Sequence, residues 1–112
     1  MNNVTWKKKE KAIARKAFNK AYECECKNIG AEVQKMINEA TNPLDLWRIH
    51  DFLSEKREAT DLTYDYRYSV LIRVFGNLLA EGWLEISDLD GLSEDKISNI
   101  KVWAESTKKL RS

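Results

Sequence analysis

The side chains best suited to chemistry or recognition lie close together near the middle of the chain. They are Trp47, His50, Asp51, Ser54 and Arg57. Because they are separated by three or four residues, they would share one face of a helix, opposite Leu46, Ile49 and Leu53. An indole near a carboxylate and a guanidinium is typical of a protein interface, where Trp and Arg contribute much of the binding energy. The spacing fits equally well a helix packed between two layers, with Trp47 in the core.

Proton transfer is the other chemistry that this cluster suggests, through His50 and Asp51. Adjacent residues on a helix point about 100° apart, so Asp51 is poorly placed to orient the imidazole. His50 is the only histidine, and the chain has neither a glycine-rich phosphate loop nor a nucleophile elbow. We therefore predict that the protein is not an enzyme and has no catalytic residues.

A calcium site is suggested by the run Asp88-Leu89-Asp90-Gly91, which resembles part of a calcium-binding loop. Aligning Gly91 with the glycine of such a loop puts Ile86 and Ile97 at the two ends, where oxygen ligands are essential. The sequence therefore predicts no calcium site.

The two cysteines, Cys24 and Cys26, are the other candidate metal ligands. Two residues apart on an expected helix, they would not direct both sulfurs toward one ion together with His50. We expect no metal site and no cofactor, and we expect free thiols in a reducing compartment, with Cys26 packed on an apolar stripe.

The charge of the chain is unevenly distributed. Residues 1–20 carry seven Lys or Arg and only Glu10, residues 21–100 carry eight against sixteen acids, and residues 101–112 carry four against Glu105. A basic segment of this kind can attract phosphates or an acidic protein surface, or it can simply be solvated. No basic face interleaved with aromatic residues is present, so nucleic acid is not the expected partner.

The elements that position these residues are predicted to be helices, since the 112-residue chain has only four Gly and one Pro. The first is a long amphipathic helix over Thr5–Ala40, which cannot bury its own apolar stripe and needs a returning hairpin, a second subunit or both. Thr41-Asn42-Pro43 ends it and begins a second helix, from Pro43 to about Ala59.

Two further helices are predicted in the C-terminal half. The third follows Thr60-Asp61, carries Tyr64 and Tyr68 on its apolar face, and ends at Gly82. After a short turn or a single helical turn at residues 87–91, Ser93 caps the last helix. The longest apolar runs are too short to span a bilayer, so we expect a cytoplasmic protein without membrane insertion.

The segment from Asp45 to Arg57, with the sequence DLWRIHDFLSEKR, resembles the cyanobacterial fluorescence recovery protein family. The likeness continues in register through Tyr64-Asp65, Arg67, the run from Ser69 to Phe75, and Leu78 to Gly82. It covers about residues 12–104. The resemblance implies one all-helical domain over residues 1–112, with a long N-terminal helix, a helical hairpin and a small C-terminal helical head, forming a homodimer through the long helices.

The resemblance also implies a function. Members of the family bind the photoactivated orange carotenoid protein, speed its return from the red to the orange form, and promote its detachment from the phycobilisome. Such a regulator would be cytoplasmic and peripheral to the thylakoid or phycobilisome surface. The positions equivalent to Trp47, His50, Asp51 and Arg57 are associated with dimerisation and the active surface.

The predicted head departs from the family pattern at three positions. Where an aromatic and a lysine contribute to the contact surface in the family, this chain has Arg73 and Asn99, and a leucine position near the end is Trp103. A charge thus replaces an apolar anchor, and a cation is lost. The alternative hypothesis is therefore a homologue with the same dimeric fold that binds a different protein partner and has no activity on the carotenoid protein.

Overall fold

The structure is a computed structural model, and it describes residues 4–111. These residues form four α-helices, α1 (Lys8–Glu39), α2 (Pro43–Thr63), α3 (Leu71–Glu81) and α4 (Glu94–Arg111), with a 3-10 helix at Ile86–Leu89 before α4. No strand is present in this part of the chain. The predicted all-α fold, with its long first helix and helical hairpin, is confirmed.

Two kinds of packing divide α1 into halves. Its first half buries Ala14, Ala17, Phe18 and Ala21 against the C-terminal elements, and the small alanine side chains allow this close approach. Its second half, residues 23–39, contains no fully buried residue, since only α2 returns along it. We call this half together with α2 the helical arm. The prediction that Cys26 packs as a small hydrophobic residue on the apolar stripe is wrong for the single chain, where both cysteines are exposed.

The turn between α1 and α2 follows the predicted boundary. Asp45 Oδ2 accepts hydrogen bonds from the backbone amides of Thr41 (2.9 Å) and Asn42 (3.3 Å), and Pro43 occupies the first helical position. These amides, with that of Thr41 contributing most, lower the pKa of Asp45. The hairpin is therefore fixed by local capping, which explains why it could be predicted.

The next predicted boundary is wrong. Helix α2 continues past Thr60-Asp61 to Thr63, because no helix breaker stands there and Arg57 Nε donates to Asp61 Oδ2 at 3.1 Å across one turn. Tyr64 and Tyr68, predicted on the third helix, instead belong to a non-helical segment, residues 64–70. We call this segment the tyrosine strap.

The tyrosine strap runs along α1 toward its start, with every second side chain against it: Tyr64 lies at Glu25, Tyr66 at Phe18 and Tyr68 at Lys11. The Phe18 ring meets the rings of Tyr64 and Tyr66 edge to face, with centroids 5.4 and 4.8 Å apart. The Tyr64 hydroxyl donates to Glu25 Oε1 at 2.8 Å. Burial raises the pKa of Tyr64, and this hydrogen bond raises it further. Contacts with a period of two are typical of a non-helical chain, as residues 64–67 are, and the strap ends in a turn at residues 68–70.

The C-terminal elements α3, the 3-10 helix and α4 form the head. Its largest fully buried side chains are Phe75, Leu71, Leu78, Leu89, Ile100 and Val74. Gly82, with φ of +86°, ends α3 as the sequence predicts, and the 3-10 helix overlaps the turn predicted at residues 87–91. Helices α3 and α4 pack so closely at Gly76 that a Cβ there would lie 2.6 Å from Trp103 Cδ1.

A buried ion pair fastens the start of α1 to the start of α4. Lys96 Nζ donates to Glu10 Oε1 (3.0 Å) and to the carbonyl oxygen of Thr5 (2.7 Å). Glu10 also accepts the backbone amides of Lys7 (3.0 Å) and Ser93 (2.9 Å). Burial would raise the pKa of Glu10, but these amides and Lys96 outweigh it and hold the pKa below its ordinary value. The orientation of α1 on the head is therefore set by charge as well as by apolar packing.

Candidate functional site

The predicted cluster lies on the open side of α2, where no other part of residues 4–111 covers it. Trp47 is 60% exposed, and its ring meets that of His50 edge to face at a centroid distance of 6.5 Å. Asp51, Ser54 and Arg57 are exposed on the same side. The alternative that Trp47 lies in the core is therefore wrong for the single chain. We call these five residues the α2 recognition face.

The ion pairs that the charged groups of the α2 recognition face form within residues 4–111 are with near neighbours on the same helix. His50 Nδ1 lies 3.4 Å from Asp51 Oδ1, and the two side chains are 68% and 76% exposed. Arg57 pairs with Asp61, and its side chain is 80% exposed. Exposed pairs of this kind contribute little to stability, so their groups can exchange partners at low cost. The geometry suits contact with another protein better than proton transfer, which needs an oriented base beside a bound substrate.

The apolar side of α2 is also largely uncovered, which the sequence did not predict. Only Ile49 is buried on this helix, whereas Leu46 and Leu53 are exposed. Further exposed apolar side chains on the arm are Ile37, Leu44 and Leu62. A set of exposed apolar residues on one part of a small protein marks an interaction surface. Leu62 was missed because the predicted helix ended before it.

The three predicted head positions are exposed, but only two of them share a site. Asn99 and Trp103 line an open groove of about 520 Å³ on the head. The Trp103 indole N–H donates to Asn77 Oδ1 at 2.9 Å, which fixes the ring over Gly76. Arg73 lies elsewhere, close enough to Asp65 to help lower the pKa of that carboxyl, although Arg67 contributes most. The sequence did not predict this groove, since its walls come from both ends of the chain.

The candidate metal ligands are not brought together. Within residues 4–111 there is no group of three or more His, Cys, Asp or Glu side chains that could hold a metal ion. Asp88, from the calcium-like run, pairs instead with Lys20, with 2.6 Å between Nζ and Oδ2. Over the same range no helix is both long and apolar enough to cross a bilayer.

Comparison with known proteins gives consistent matches over most of the chain. Residues 6–104 match the family described as photoprotection regulator fluorescence recovery protein. The fluorescence recovery protein of Synechocystis sp. PCC 6803 is 43% identical over 99 residues, which cover 88% of this chain and 91% of that protein. The solved structures of the Fremyella diplosiphon and Synechocystis fluorescence recovery proteins are 40% and 42% identical to this chain. Each has a TM-score of 0.85, with 90% of this chain and 99% of the other covered.

Proposed function

The chain belongs to the fluorescence recovery protein family of photoprotection regulators, and we propose that it acts on the photoactivated orange carotenoid protein. In this proposal it binds that protein, accelerates reversion from the red to the orange form, and promotes detachment from the phycobilisome, so that antenna fluorescence recovers. The observation that supports the proposal is the α2 recognition face, where Trp47, His50, Asp51 and Arg57 are exposed. These are the positions that the sequence resemblance associates with dimerisation and the active surface.

The proposed active form is a homodimer. The arm leaves Leu46, Trp47 and Leu53 exposed, and these side chains would lose their water contact against the arm of a second copy. The helical arm would then gain the buried apolar core that a hairpin of two helices lacks. The open charged groups beside them would form the polar rim of that interface.

The proposed mechanism is selective binding. A regulator that is not an enzyme can shift a two-state equilibrium only by binding one state better than the other. We propose that the dimer binds the compact orange conformation of the carotenoid protein, or the path toward it, more tightly than the open red one. A hundredfold difference in affinity would correspond to about 2.7 kcal/mol.

Dark recovery of purified, photoactivated carotenoid protein tests this proposal. The red-to-orange rate is measured optically with rising concentrations of the chain, and we expect it to increase until it saturates. A variant with Arg57→Ala should need a higher concentration for the same rate, whereas Lys35→Ala on the exposed part of α1 serves as the control. An unchanged rate at saturating chain would refute the proposal.

A second candidate is the same dimeric fold acting on a different protein partner. It is favoured by Arg73 and Asn99, which replace the aromatic and the lysine expected at those positions of the head. If this candidate is right, the chain will not speed recovery, and restoring both side chains with Arg73→Phe and Asn99→Lys will create the activity. Acceleration by the unmodified chain equal to that of the restored variant would exclude this candidate.

A further inference from the structure

The first three turns of α1 carry an exposed cationic face on the side opposite the buried alanines. It consists of Lys8, Lys9, Lys11, Arg15 and Lys16. At a rise of about 1.5 Å per residue, these five charges lie within about 12 Å along the helix. The N-terminal end of the helix dipole adds to the same positive potential.

Few acids neutralise this cationic face. Glu10, the only acid within residues 1–20, is turned inward to Lys96. Among the described residues, Lys8 and Lys9 have no ion-pair partner, whereas Lys20 pairs with Asp88 of the head and Lys16 lies close enough to help lower the pKa of that carboxyl. A concentration of like charge with so little local compensation attracts an anionic partner and speeds its encounter.

The groove on the head lies beside the cationic face. Its walls include Val4, Ser69, Ile72 and Val102 as well as Asn99 and Trp103. Val102 is 62% exposed and Val4 45%, so the groove offers apolar surface to a ligand. Hydroxyl and amide groups at the margin of the groove provide hydrogen-bonding partners for a polypeptide. An apolar groove with a polar margin is the kind of surface that binds amphipathic helices.

The two surfaces meet at Tyr68. Lys11 Nζ lies 5.1 Å from the centroid of the Tyr68 ring, and Trp6 packs on the same ring at 5.8 Å. Ser69, the next residue after Tyr68, already belongs to the wall of the groove. One ligand can therefore contact apolar groove and cationic face at the same time.

We propose that the groove and the cationic face together bind an acidic amphipathic helix of a protein partner, with its apolar row in the groove and its carboxylates toward α1. The inference rests on the proposed function and deepens it, since it gives the chemistry of the partner segment that contacts the head. Charge complementarity selects an acidic ligand, and the apolar groove selects one with an apolar row. A single-stranded nucleic acid fits less well, because Arg15 at 3.6 Å and Lys11 already cover the rings of Tyr66 and Tyr68, on which bases would stack.

Fluorescence anisotropy with labelled synthetic peptides of about five helical turns tests the inference. The first probe carries Leu at helical spacing with flanking Glu, the second has Lys in place of every Glu, and the third is a scrambled version of the first. A single-stranded oligonucleotide is the fourth probe. We expect the first peptide to bind at least about tenfold more tightly than the other probes, and to weaken as salt is raised.

Two triple variants locate the binding surface. Lys8→Glu, Lys9→Glu and Lys11→Glu together should weaken binding of the first peptide by about tenfold or more, through loss of charge complementarity. The matched control, Lys27→Glu, Lys35→Glu and Lys56→Glu, makes the same change in net charge on the arm and should change binding by less than about threefold. Val102→Ser tests the groove without changing charge, and it should weaken binding severalfold.

Equal binding of the acidic and scrambled peptides, tighter binding of the oligonucleotide, or equal effects of the two triple variants would overturn the inference. These measurements do not depend on the carotenoid protein. Failure of the unmodified chain to speed recovery would refute the proposed function instead, so the two failures can be told apart. Circular dichroism of each variant verifies that the helices are retained, and any variant that loses them is replaced by its single Lys→Gln substitutions.

Discussion

Trp47 and Ile49 are two residues apart on α2 and have opposite environments, since Trp47 is 60% exposed while Ile49 is 8% exposed. The single chain thus buries Ile49 on one side of this helix and leaves a large indole in water on the other. Tryptophan is among the residue types that contribute most binding free energy when they are buried at the centre of an interface. The exposure of Trp47 is the residue-level reason to expect a protein partner, which in our proposal is a second copy.

Truncation of this indole should weaken self-association. We expect Trp47→Ala to raise the dimer dissociation constant about thirtyfold, which corresponds to about 2 kcal/mol. Sedimentation equilibrium gives that constant. Val102→Ala removes an exposed apolar group from the head and should leave the constant unchanged. A dimer equally tight in both variants would place the interface elsewhere.

The Glu10–Lys96 pair gives a second residue-level prediction, on stability. Both side chains are more than 90% buried, so Lys96→Met leaves a buried carboxylate without its cation and should cost about 3 kcal/mol at pH 7. The folded pKa of Glu10 lies below its unfolded value of about 4.3, so the ionised pair contributes stability above that value and loses it as pH falls through the folded pKa.

Urea unfolding at pH 7 and again near pH 3 separates the stabilisation due to the Glu10–Lys96 charge pair from the stabilisation due to side-chain packing. The difference in unfolding free energy between the unmodified chain and Lys96→Met should shrink at the lower pH. Lys101→Met, at an exposed position of α4, is the control and should differ little from the unmodified chain at either pH. A difference for Lys96→Met that does not change with pH would contradict the assigned role of the charge.

At the scale of elements, local chemistry decided which boundaries could be predicted. Asn42-Pro43 and Gly82 act within a few residues, through capping and a positive φ, and both boundaries are confirmed. Tyr64 and Tyr68 are four residues apart, which fits a helix as well as a strap. Contacts with Phe18 and Trp6, more than forty residues away, decide for the strap. The spacing of residues within one segment carries no information about contacts with a distant segment, so it could not distinguish the strap from a helix.

The candidate site shows the same limit at the level of elements. The spacing of Trp47, His50 and Arg57 correctly placed them on one helix face, but whether another helix covers that face depends on the whole fold. The groove was not predicted because Val4 and Val102 are almost a hundred residues apart in sequence. Sequence patterns therefore predicted which residues belong together on one element and missed the sites that several elements build.

The contact between α3 and α4 at Gly76 gives a prediction about elements. A Cβ at this position would meet the Trp103 ring at 2.6 Å, so Gly76→Ala must push the two helices apart and should cost about 2 kcal/mol. Gly30, on the open part of α1, has no atom within 4 Å of an added Cβ. Gly30→Ala should therefore stabilise the chain by about 0.5 to 1 kcal/mol. Thermal and urea unfolding measure the change in unfolding free energy for each substitution. Equal changes for the two substitutions would contradict the packing described for Gly76.

On the scale of the whole molecule, the head and the arm differ in how they obtain their stability. The head buries Phe75, Leu71 and Ile100 completely, whereas α2 buries only Ile49, and the elongated molecule measures 53 × 30 × 23 Å. An arm with so small a core cannot gain much from apolar burial alone. In the proposed dimer, the arms of two copies would supply that core to each other, while the two heads would remain free for the partner.

If the arm depends on a second copy, stability will depend on protein concentration. Each tenfold increase in concentration should stabilise the folded dimer by about 1.4 kcal/mol, because association binds the folded state and not the unfolded one. We expect the midpoint of thermal unfolding to rise measurably between about 1 and 100 μM chain.

Hydrogen exchange at the two concentrations shows which elements are stabilised. Protection should increase in α2 and the second half of α1, and change little in α3 and α4. Trp47→Ala should reduce the concentration dependence without altering protection of the head. A midpoint independent of concentration, with equal protection of the arm at both concentrations, would show that the hairpin is stable alone and would exclude the proposed mutual stabilisation of the arms.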